Sequence, residues 1–244
     1  MFSESAQHYD AIYGAFKDYA AESARVAALV REIDEREGLS GLDVACGTGE
    51  HARHLRVSHG LAVDGLDLDP GLLAVARQKL PTAQFFEADM SDFALGRRYD
   101  VVMCLFSSIG YLKTLDRVAA ALRCFRAHLK GGGAVIVEPW FEPGVLQAGR
   151  LSVKHGESDG VRIERTSRVA VEGRLSTLTF DYLIEDAAGV RAAREVHTLG
   201  LLTSAEMLSC FREAGLEAAY DPVGLSGRGL YLARASTGAK GGGR

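Results

Sequence analysis

A short stretch near the start of the chain combines a carboxylate with a glycine-rich turn. Residues 42–49 read LDVACGTG, so Asp43 stands inside an apolar run four residues before Gly47. Glycine lets a backbone come close to a ligand, and the turn from a strand into a helix is where open α/β sheets bind ligands. A carboxylate buried in that strand needs hydrogen bonds or a positively charged partner. The stretch therefore predicts a binding loop for a ligand that carries a positive charge.

Two more carboxylates follow at the ends of the next two predicted strands. Asp67 comes 20 residues after Gly47, the place from which dinucleotide-binding folds hold two ribose hydroxyls. Asp89 directly precedes Met90 and can accept a hydrogen bond from the exocyclic amine of a base. A glycine turn, a ribose carboxylate and a base carboxylate, in this order, describe an adenosine ligand that has no phosphates and a cationic tail.

The same turn leaves one alternative open. Gly47 to Ala52 also fits the loose dinucleotide pattern G-x-G-x-x-A, so a nicotinamide oxidoreductase is a rival interpretation. Asp43 stands where dinucleotide folds usually keep an apolar residue, and Glu50 follows the second glycine at the start of the predicted helix. Because a carboxylate there would repel a pyrophosphate, we favour a ligand without phosphates.

The elements that must position these residues alternate between strand and helix. Short apolar runs predict strands at 41–45, 61–66, 83–87, 99–105 and 134–137. Helical periodicity predicts helices at 18–37, 50–59 and 115–129, the last one stopped by the glycines at 131–133. Asp69 and Pro70 are the expected N-cap and first residue of a further helix. This alternation predicts a Rossmann-like, doubly wound α/β fold around a mostly parallel seven-stranded sheet.

The alternation stops after about residue 145. Residues 151–202 alternate polar and apolar side chains, with a strand expected at 176–184 and a hairpin turn at 187–189. Thr203 and Glu206 then form a capping box that opens a helix, and two closing strands follow. We therefore expect one domain over residues 1–244, with a small antiparallel β insertion at 145–202. Residues 236–244 contain four glycines and are predicted to be a disordered tail.

Composition narrows the possible partners. The 244 residues include 28 basic and 32 acidic side chains, and the resulting net charge near −4 gives no support to a nucleic-acid partner. The four cysteines form no C-x-x-C pair, and no carboxylates join the histidines of 51–59 at metal spacing, so we predict reduced thiols and no metal. A signal peptide and an apolar run of membrane-spanning length are both missing, which predicts a cytoplasmic protein without a membrane contact.

The motifs of residues 38–140 resemble those of the class I S-adenosylmethionine-dependent methyltransferases. By this resemblance the turn and Asp43 hold the methionine part of S-adenosylmethionine, Asp67 holds the ribose, and Asp89 with Met90 lies beside the adenine. Tyr13 and Tyr19 would close over the cofactor as an N-terminal lid. The cofactor-binding residues predicted in this way are Tyr13, Tyr19, Asp43, Cys46, Gly47, Gly49, Asp67, Leu68, Asp89, Met90 and Leu105.

A closer resemblance extends over most of the chain. Tyr13 and the segments KDY at 17–19, FSSIGYL at 106–112, EPW at 138–140 and SGRGL at 226–230 occur in this order. They are similar to segments of the N,N-dimethyltransferases that act on TDP-amino sugars in macrolide antibiotic pathways. The resemblance implies an S-adenosylmethionine-dependent N-methyltransferase whose insertion shapes the sugar-nucleotide pocket and supports a homodimer. A methyltransferase for another small amine, hydroxyl or carboxyl group, and a regulatory protein that only binds the cofactor, are the alternatives.

The substrate side carries two kinds of prediction. Arg228 lies between two glycines, and its planar guanidinium suits a diphosphate, although a solvated loop arginine would look the same in sequence. For direct displacement the amine must be neutral, and Tyr111 or Glu138 is the predicted proton acceptor unless the amine needs none. The predicted substrate-binding residues are Phe106, Ser107, Ser108, Trp140 and Arg228.

Overall fold

The protein forms two β-sheets and six α-helices in the part of the chain that a computed structural model describes, residues 9–14, 17–158 and 160–235. The strands are β1 (Ser40–Val44), β2 (Ala62–Asp67), β3 (Phe85–Glu87), β4 (Tyr99–Cys104), β5 (Leu129–Val137), β6 (Leu151–Ser158), β7 (Val161–Glu172), β8 (Leu175–Asp186), β9 (Gly189–Gly200), β10 (Leu216–Asp221) and β11 (Leu230–Ala235). The helices are α1 (Tyr9–Gly14), α2 (Tyr19–Ile33), α3 (Glu50–His59), α4 (Pro70–Lys79), a 3₁₀ helix (Ser108–Leu112), α5 (Leu115–Ala127) and α6 (Ser204–Glu213).

The central sheet has seven strands in the order β10-β11-β5-β4-β1-β2-β3. Strands β1 to β5 pair in parallel, and β11 runs against both β5 and β10. Because β1 lies between β2 and β4, the chain leaves β1 at the point where the strand order reverses, which is where open α/β sheets bind their ligands. The predicted Rossmann-like, mostly parallel seven-stranded sheet is confirmed.

Apolar stripes on the helices cover both faces of this sheet. On one face Leu122 of α5 and Phe211 of α6 are fully buried, and on the other face Val26 of α2, Leu55 of α3 and Leu73 of α4 are fully buried. Burial of a Leu or Phe side chain contributes roughly 1.5–3 kcal/mol. None of the helices in the described part of the chain has the length and apolar character needed to cross a membrane.

The remaining four strands form a separate antiparallel sheet, β6-β7-β8-β9, which we call the inserted sheet. The expected turn at 187–189 joins β8 to β9, and Asp186 pairs directly with Gly189 across it. Helix α1 lies on this sheet, because Ile12 and Tyr13 share an apolar cluster with Ile163 and Phe180. The small antiparallel β insertion predicted from sequence is thereby confirmed, and it is joined to the N-terminal helix.

The largest differences from the predicted boundaries are at the start of β5 and at the end of α2. Helix α5 ends at Ala127, and the glycines at 131–133 lie inside β5 rather than ending a helix. Between the pairs Tyr99–Leu129 and Val101–Ala134 the strand β5 bulges by three residues, which the glycines allow. Helix α2 ends at Ile33 because the next residue turns to extended backbone. The predicted tail at 236–244 lies outside the described residues.

Candidate active site

The glycine turn after β1 is held by the neighbouring strand. Gly47 has φ +57° and Gly49 has φ +77°, backbone conformations that residues with a side chain rarely adopt. The N–H of Gly47 donates a hydrogen bond to Oδ2 of Asp67 at 2.8 Å. The turn therefore keeps its shape through a carboxylate that stands at the end of β2.

Asp67 connects this turn to the start of α4. Its Oδ1 accepts the N–H of Asp69 at 2.9 Å, and Asp69 in turn caps α4 through the N–H groups of Gly71 and Leu72. Burial raises the pKa of Asp67, and its backbone hydrogen bonds oppose that shift. Each carboxylate oxygen has a second lone pair, so Asp67 retains acceptor capacity for a ligand.

Asp43 is a buried carboxylate in β1 with an incomplete set of hydrogen bonds. It is 1% exposed, and its Oδ2 has no hydrogen-bond partner within the described residues. Burial, and then the charge of Asp67, raise its pKa to about 7, while the ammonium of Lys17 acts in the opposite direction. A ligand cation placed here would favour the ionised form and supply the missing partner.

A cavity of about 420 Å³ opens at the carboxyl ends of β1, β2 and β3. It brings together seven of the residues predicted from sequence: Gly47, Asp67, Leu68, Asp89, Met90, Ser108 and Tyr111. Partial burial alone would raise the pKa of Asp89. Hydrogen bonds from Ser91 and Arg117 outweigh that effect, so the pKa of Asp89 is lowered. The cavity therefore has acidic groups beside apolar side chains such as Leu68 and Met90, which suits a nucleoside.

A smaller pocket of about 30 Å³ adjoins this cavity at the glycine turn, because Gly47 lines both. Tyr9 borders both, and Asp43 lies in the smaller one. Other predicted residues there are Tyr19, Cys46, Leu105 and Phe106. The ring of Tyr19 packs edge-on against His51 with 4.9 Å between centroids. Asp43 and the turn thus share one pocket, beside the cavity that contains Asp67 and Asp89.

Six predicted residues lie outside the walls of both cavities: Tyr13, Gly49, Ser107, Glu138, Trp140 and Arg228. Tyr13 contacts Phe106 edge-on, with 5.3 Å between ring centroids. The indole N–H of Trp140 donates to Oγ of Ser176 at 2.8 Å and so links the end of β5 to the inserted sheet. These two residues connect the site to the sheet that covers it.

Glu138 and Arg228 form a buried ion pair, and Glu138 also contacts the loop that follows β4. Oε2 of Glu138 accepts the N–H of Phe106 at 2.7 Å. Its Oε1 accepts the hydroxyl of Ser226 at 2.5 Å and Nη2 of Arg228 at 3.2 Å. Phe106 and Ser107 have φ +53° and +62°, so the carboxylate holds a strained loop. This geometry favours a structural role for Glu138, because most of its lone pairs are engaged.

Tyr111 borders the large cavity and contacts the inserted sheet. Its hydroxyl lies 2.9 Å from Nδ1 of His197 on β9. Burial raises the pKa of Tyr111 above its ordinary value, so the hydroxyl is protonated at neutral pH. Tyr111 can therefore take a proton from a substrate only if it passes its own proton on.

Twelve residues that border the large cavity were not predicted as site residues: Tyr9, Ala45, Leu66, Asp69, Leu72, Ala88, Leu112, Lys113, Arg117, Val196, His197 and Thr198. The signal for β9 needs the structure, because it depends on which face of the strand is buried. Glu195, His197 and Leu199 fall on one face of an alternating strand and are all buried. Two polar side chains on an inward face need partners, and this requirement points to a site.

The residues present fit S-adenosylmethionine. The unfilled acceptor on Asp43 suits its ammonium, and Asp67 has acceptors left for ribose hydroxyls. When bound, S-adenosylmethionine supplies an electrophilic methyl group on a sulfonium sulfur and leaves as a neutral thioether. The protein aligns the acceptor, excludes water and handles the proton of the amine.

The fold and the site define an S-adenosylmethionine-dependent methyltransferase, and residues 42–133 match the family model described as a methyltransferase domain. The chain is 41% identical over 231 residues to the dTDP-3-amino-3,4,6-trideoxy-alpha-D-glucopyranose N,N-dimethyltransferase of Streptomyces venezuelae, covering 94% of this chain and 97% of that protein. A dTDP-4-amino-2,3,4,6-tetradeoxy-D-glucose N,N-dimethyltransferase of Saccharopolyspora spinosa is 35% identical over 234 residues, covering 94% and 92%. The chain belongs to the family of TDP-amino-sugar N,N-dimethyltransferases.

Solved structures agree with this assignment. The crystal structure of Streptomyces venezuelae DesVI matches with a TM-score of 0.89 and 39% identity over 96% of this chain and 99% of that one. CalS10, an amino pentose methyltransferase from Micromonospora echinaspora solved with S-adenosylmethionine bound, matches with a TM-score of 0.82 and 36% identity over 93% and 96%. The predicted methyltransferase class and cofactor are confirmed.

Proposed function

We propose that the chain transfers methyl groups from S-adenosylmethionine to the amino group of a TDP-linked amino sugar, in two successive steps. The observation that carries this proposal is the length of the match, since 97% of the Streptomyces venezuelae enzyme is covered at 41% identity. The inserted sheet and the loop at 226–230 are therefore shared as well as the cofactor motifs. The large cavity extends from the glycine turn to β9, and Ser108 and Tyr111 of the proposed substrate side border it together with Asp67 and Asp89.

We assign the residues of the two halves as follows. Asp43 and the turn at Gly47 and Gly49 face the methionine part of the cofactor, with Tyr19, Cys46 and Leu105 around it. Asp67 binds the ribose, and Leu68, Asp89 and Met90 surround the adenine. The substrate-side residues are Phe106, Ser107, Ser108, Tyr111, Trp140 and Arg228. Tyr13 lies outside both cavities and packs against Phe106, so we assign it the role of supporting the ring of Phe106.

Arg228 retains donors for a diphosphate despite its ion pair. Glu138 engages its Nε–H and one Nη2–H, at 3.4 and 3.2 Å, and a guanidinium has five N–H donors. Its guanidinium carbon lies over the ring of Phe106, 5.4 Å from the centroid, so the ring and Glu138 together limit the movement of the group. A guanidinium that is held in place and has donors left over suits bidentate phosphate binding.

A panel of TDP-sugars tests the proposed substrate. Two relatives at 41% identity are named for 3-amino sugars and one at 35% for a 4-amino sugar, so the panel contains both classes. We expect a mass gain of one and then two methyl units on a TDP-amino sugar. The matched TDP-sugar with a hydroxyl in place of the amine should gain none. Absence of any gain across the amino sugars, with gain on another small amine, would make the chain a methyltransferase of different specificity.

Cofactor affinity should depend on pH through Asp43. Its pKa of about 7 in the free protein means that the carboxyl is largely protonated at pH 6 and ionised at pH 8. If an ammonium binds there, the bound state keeps the carboxylate ionised, so binding below pH 7 releases a proton. We expect the affinity for S-adenosylhomocysteine to rise by up to about tenfold per pH unit from pH 5 to 7 and to level off above. Calorimetry in buffers of different ionisation enthalpy measures the released proton.

The variant Asp43→Asn is the control for this dependence. Asparagine keeps the size of the side chain but cannot ionise, so the affinity should no longer change between pH 5 and 7. An affinity of the parent protein that is the same at pH 6 and pH 8, with no proton released, would contradict the placement of an ammonium at Asp43.

The homodimer expected from the resemblance stays a prediction. Exposed apolar side chains on the inserted sheet, Leu151, Val153 and Val190, offer a second copy a surface to cover. The mass of the protein in solution, measured by light scattering, tests it.

A further inference from the structure

The inserted sheet extends a line of polar groups to the large cavity. Tyr111 stands on the 3₁₀ helix and borders the cavity, and its hydroxyl lies 2.9 Å from Nδ1 of His197 on β9. His197 is 2% exposed, yet it is also part of the cavity wall. A titratable ring that is nearly buried, and touches both a cavity and a tyrosine hydroxyl, is placed to exchange a proton with the contents of that cavity.

The far side of the imidazole is fixed by a carboxylate. Nε2 of His197 lies 3.4 Å from Oε2 of Glu195, and the hydroxyl of Tyr182 donates to the same oxygen at 3.2 Å. Burial raises the pKa of Tyr182, so that hydroxyl remains a donor at neutral pH. A carboxylate only accepts, and therefore Nε2 of the neutral ring carries the proton and Nδ1 is left to accept from Tyr111. The three groups form an ordered Tyr111–His197–Glu195 relay.

Glycines bring the two elements of the relay together. At Gly200, the last residue of β9, an added Cβ would lie 2.7 Å from the backbone of Lys113, which ends the 3₁₀ helix. At Gly110 in that helix an added Cβ would lie 2.9 Å from the Cβ of Trp140. A side chain at Gly200 would push β9 away from the 3₁₀ helix, and one at Gly110 would displace Trp140 and crowd the side chain of Leu199 on β9, 3.1 Å away. The contact between Tyr111 and His197 therefore depends on a close approach that the sequence maintains at two positions.

We propose that His197 accepts, through Tyr111, the proton that the substrate ammonium loses before each methyl transfer. The inference rests on the proposed function, because it concerns the amine of an amino-sugar substrate. In neutral water such an amine is present largely as its ammonium ion. The N–H bond of the ammonium breaks and its proton passes to the oxygen of Tyr111, while the hydroxyl proton of Tyr111 passes to Nδ1 of His197. The amine nitrogen keeps the electron pair with which it forms the new bond to carbon.

The relay has to act twice for a dimethylated product. After the first transfer the product nitrogen is again a cation that carries hydrogen, and it must lose a proton before it can react a second time. His197 returns its proton to the solvent through the cavity that it borders. A protonated imidazole is stabilised by the carboxylate of Glu195, which therefore acts as a positioning residue and does not touch the substrate.

The charged and titratable groups around His197 come from three strands, from α1 and, through Tyr111, from the 3₁₀ helix. Glu195 stands beside it on β9, and Tyr182 on β8 donates to Glu195. Arg165 on β7 packs over Phe180, whose ring lies 5.2 Å from His197 between centroids. Burial raises the pKa of Tyr13 on α1 to about 12, so Tyr13 adds no charge. Glu195 and Arg165 therefore bring charges of opposite sign to this part of the inserted sheet.

The variant His197→Asn separates proton uptake from alignment. The side-chain oxygen of asparagine can still accept from Tyr111, but it cannot take a proton. We expect kcat at neutral pH to fall by up to about 100-fold, with KM within about threefold, and the deficit to shrink as pH rises because more amine arrives neutral. Tyr111→Phe should show the same trend, and the double variant should be no worse than either single variant. A loss that is equal at every pH would overturn the relay.

A control and a second measurement keep this test independent of folding and of the substrate. His155→Asn alters an exposed histidine of the inserted sheet, and its kcat should equal that of the parent protein. Nitrogen NMR of histidine-labelled protein with S-adenosylhomocysteine, with His197 assigned from the His197→Asn spectrum, reports the tautomer. We expect a ring protonated at Nε2 whose Nδ1 resonance moves in Tyr111→Phe. A ring protonated at Nδ1 overturns the relay, whether or not a TDP-amino sugar is methylated. The absence of methylation of every TDP-amino sugar overturns the proposed function instead.

Discussion

The variant Asp67→Ala should bind S-adenosylhomocysteine roughly 1,000-fold more weakly than the parent protein, a loss of about 4 kcal/mol. Two effects combine in this loss. The carboxylate loses its bonds to ribose hydroxyls, each worth about 1.5–3 kcal/mol for a charged acceptor. The N–H of Gly47 also loses its acceptor at 2.8 Å, so the glycine turn is released from β2. Titration calorimetry of the purified variants gives the dissociation constants.

Asp64→Asn is the matched control, because Asp64 stands on the same strand and faces other partners. It accepts the N–H of Gln84 at 3.0 Å and the hydroxyl of Tyr99 at 3.2 Å, and it pairs with Arg97. We expect Asp64→Asn to lower the free energy of unfolding but to leave the affinity within about threefold of the parent value. If Asp67→Ala binds S-adenosylhomocysteine within tenfold of the parent protein, the assignment of the ribose to Asp67 is wrong.

Local sequence signals were sufficient to predict the elements that bring the glycine turn and Asp67 together. Asp69 caps α4 with Pro70 at its first position, and Thr203 with Glu206 forms the predicted capping box. These signals act within three residues, so they do not depend on the rest of the fold. The glycine turn and Asp67 are separated by 20 residues, but one strand–helix–strand unit connects them, and its register is set by the parallel pairing of β1 with β2.

The residues that we propose for the substrate side depend on contacts between distant parts of the chain. Tyr111 and His197 are 86 residues apart, and Glu138 and Arg228 are 90 residues apart. Alternation in β9 indicates which side chains share a face, but the packing of that face on the 3₁₀ helix is decided by Gly200 and its neighbours in space. Sequence therefore predicted Tyr111 as a proton acceptor without its partner.

Contacts between distant parts of the chain also explain why the prediction for the glycines at 131–133 was wrong. Three consecutive glycines after a helical pattern are a common helix stop, and the prediction used that rule. In the fold, Leu129 has already joined the sheet beside Tyr99, and the glycines form a bulge in β5. Strand pairing is a tertiary interaction, and it overrides a local signal that two different structures satisfy equally well.

The variant Glu138→Ala should lower the free energy of unfolding by about 3–5 kcal/mol, because it leaves the guanidinium of Arg228 buried without its partner. The variant also removes the acceptor for the N–H of Phe106, at the start of a loop with two left-handed residues, so this loop should loosen. We expect Glu138→Gln to lose less stability, because an amide oxygen can still accept from Phe106. Urea unfolding followed by circular dichroism measures these differences.

A double-mutant cycle with Arg228→Gln decides between this structural role and the role of catalytic base. If Glu138 serves mainly to neutralise and fix Arg228, the Glu138→Gln/Arg228→Gln protein should be more stable than the sum of the single effects implies, by about 1–3 kcal/mol. The pH profile of kcat in Glu138→Gln should then keep the shape of the parent profile at a lower level. A variant Glu138→Gln that unfolds like the parent protein, but loses the pH dependence of kcat, would make the carboxylate the base. Glu138 is fully buried, whereas Tyr111 borders the cavity and contacts His197. We therefore expect the stability coupling and the unchanged shape of the pH profile, which indicate a structural role for Glu138.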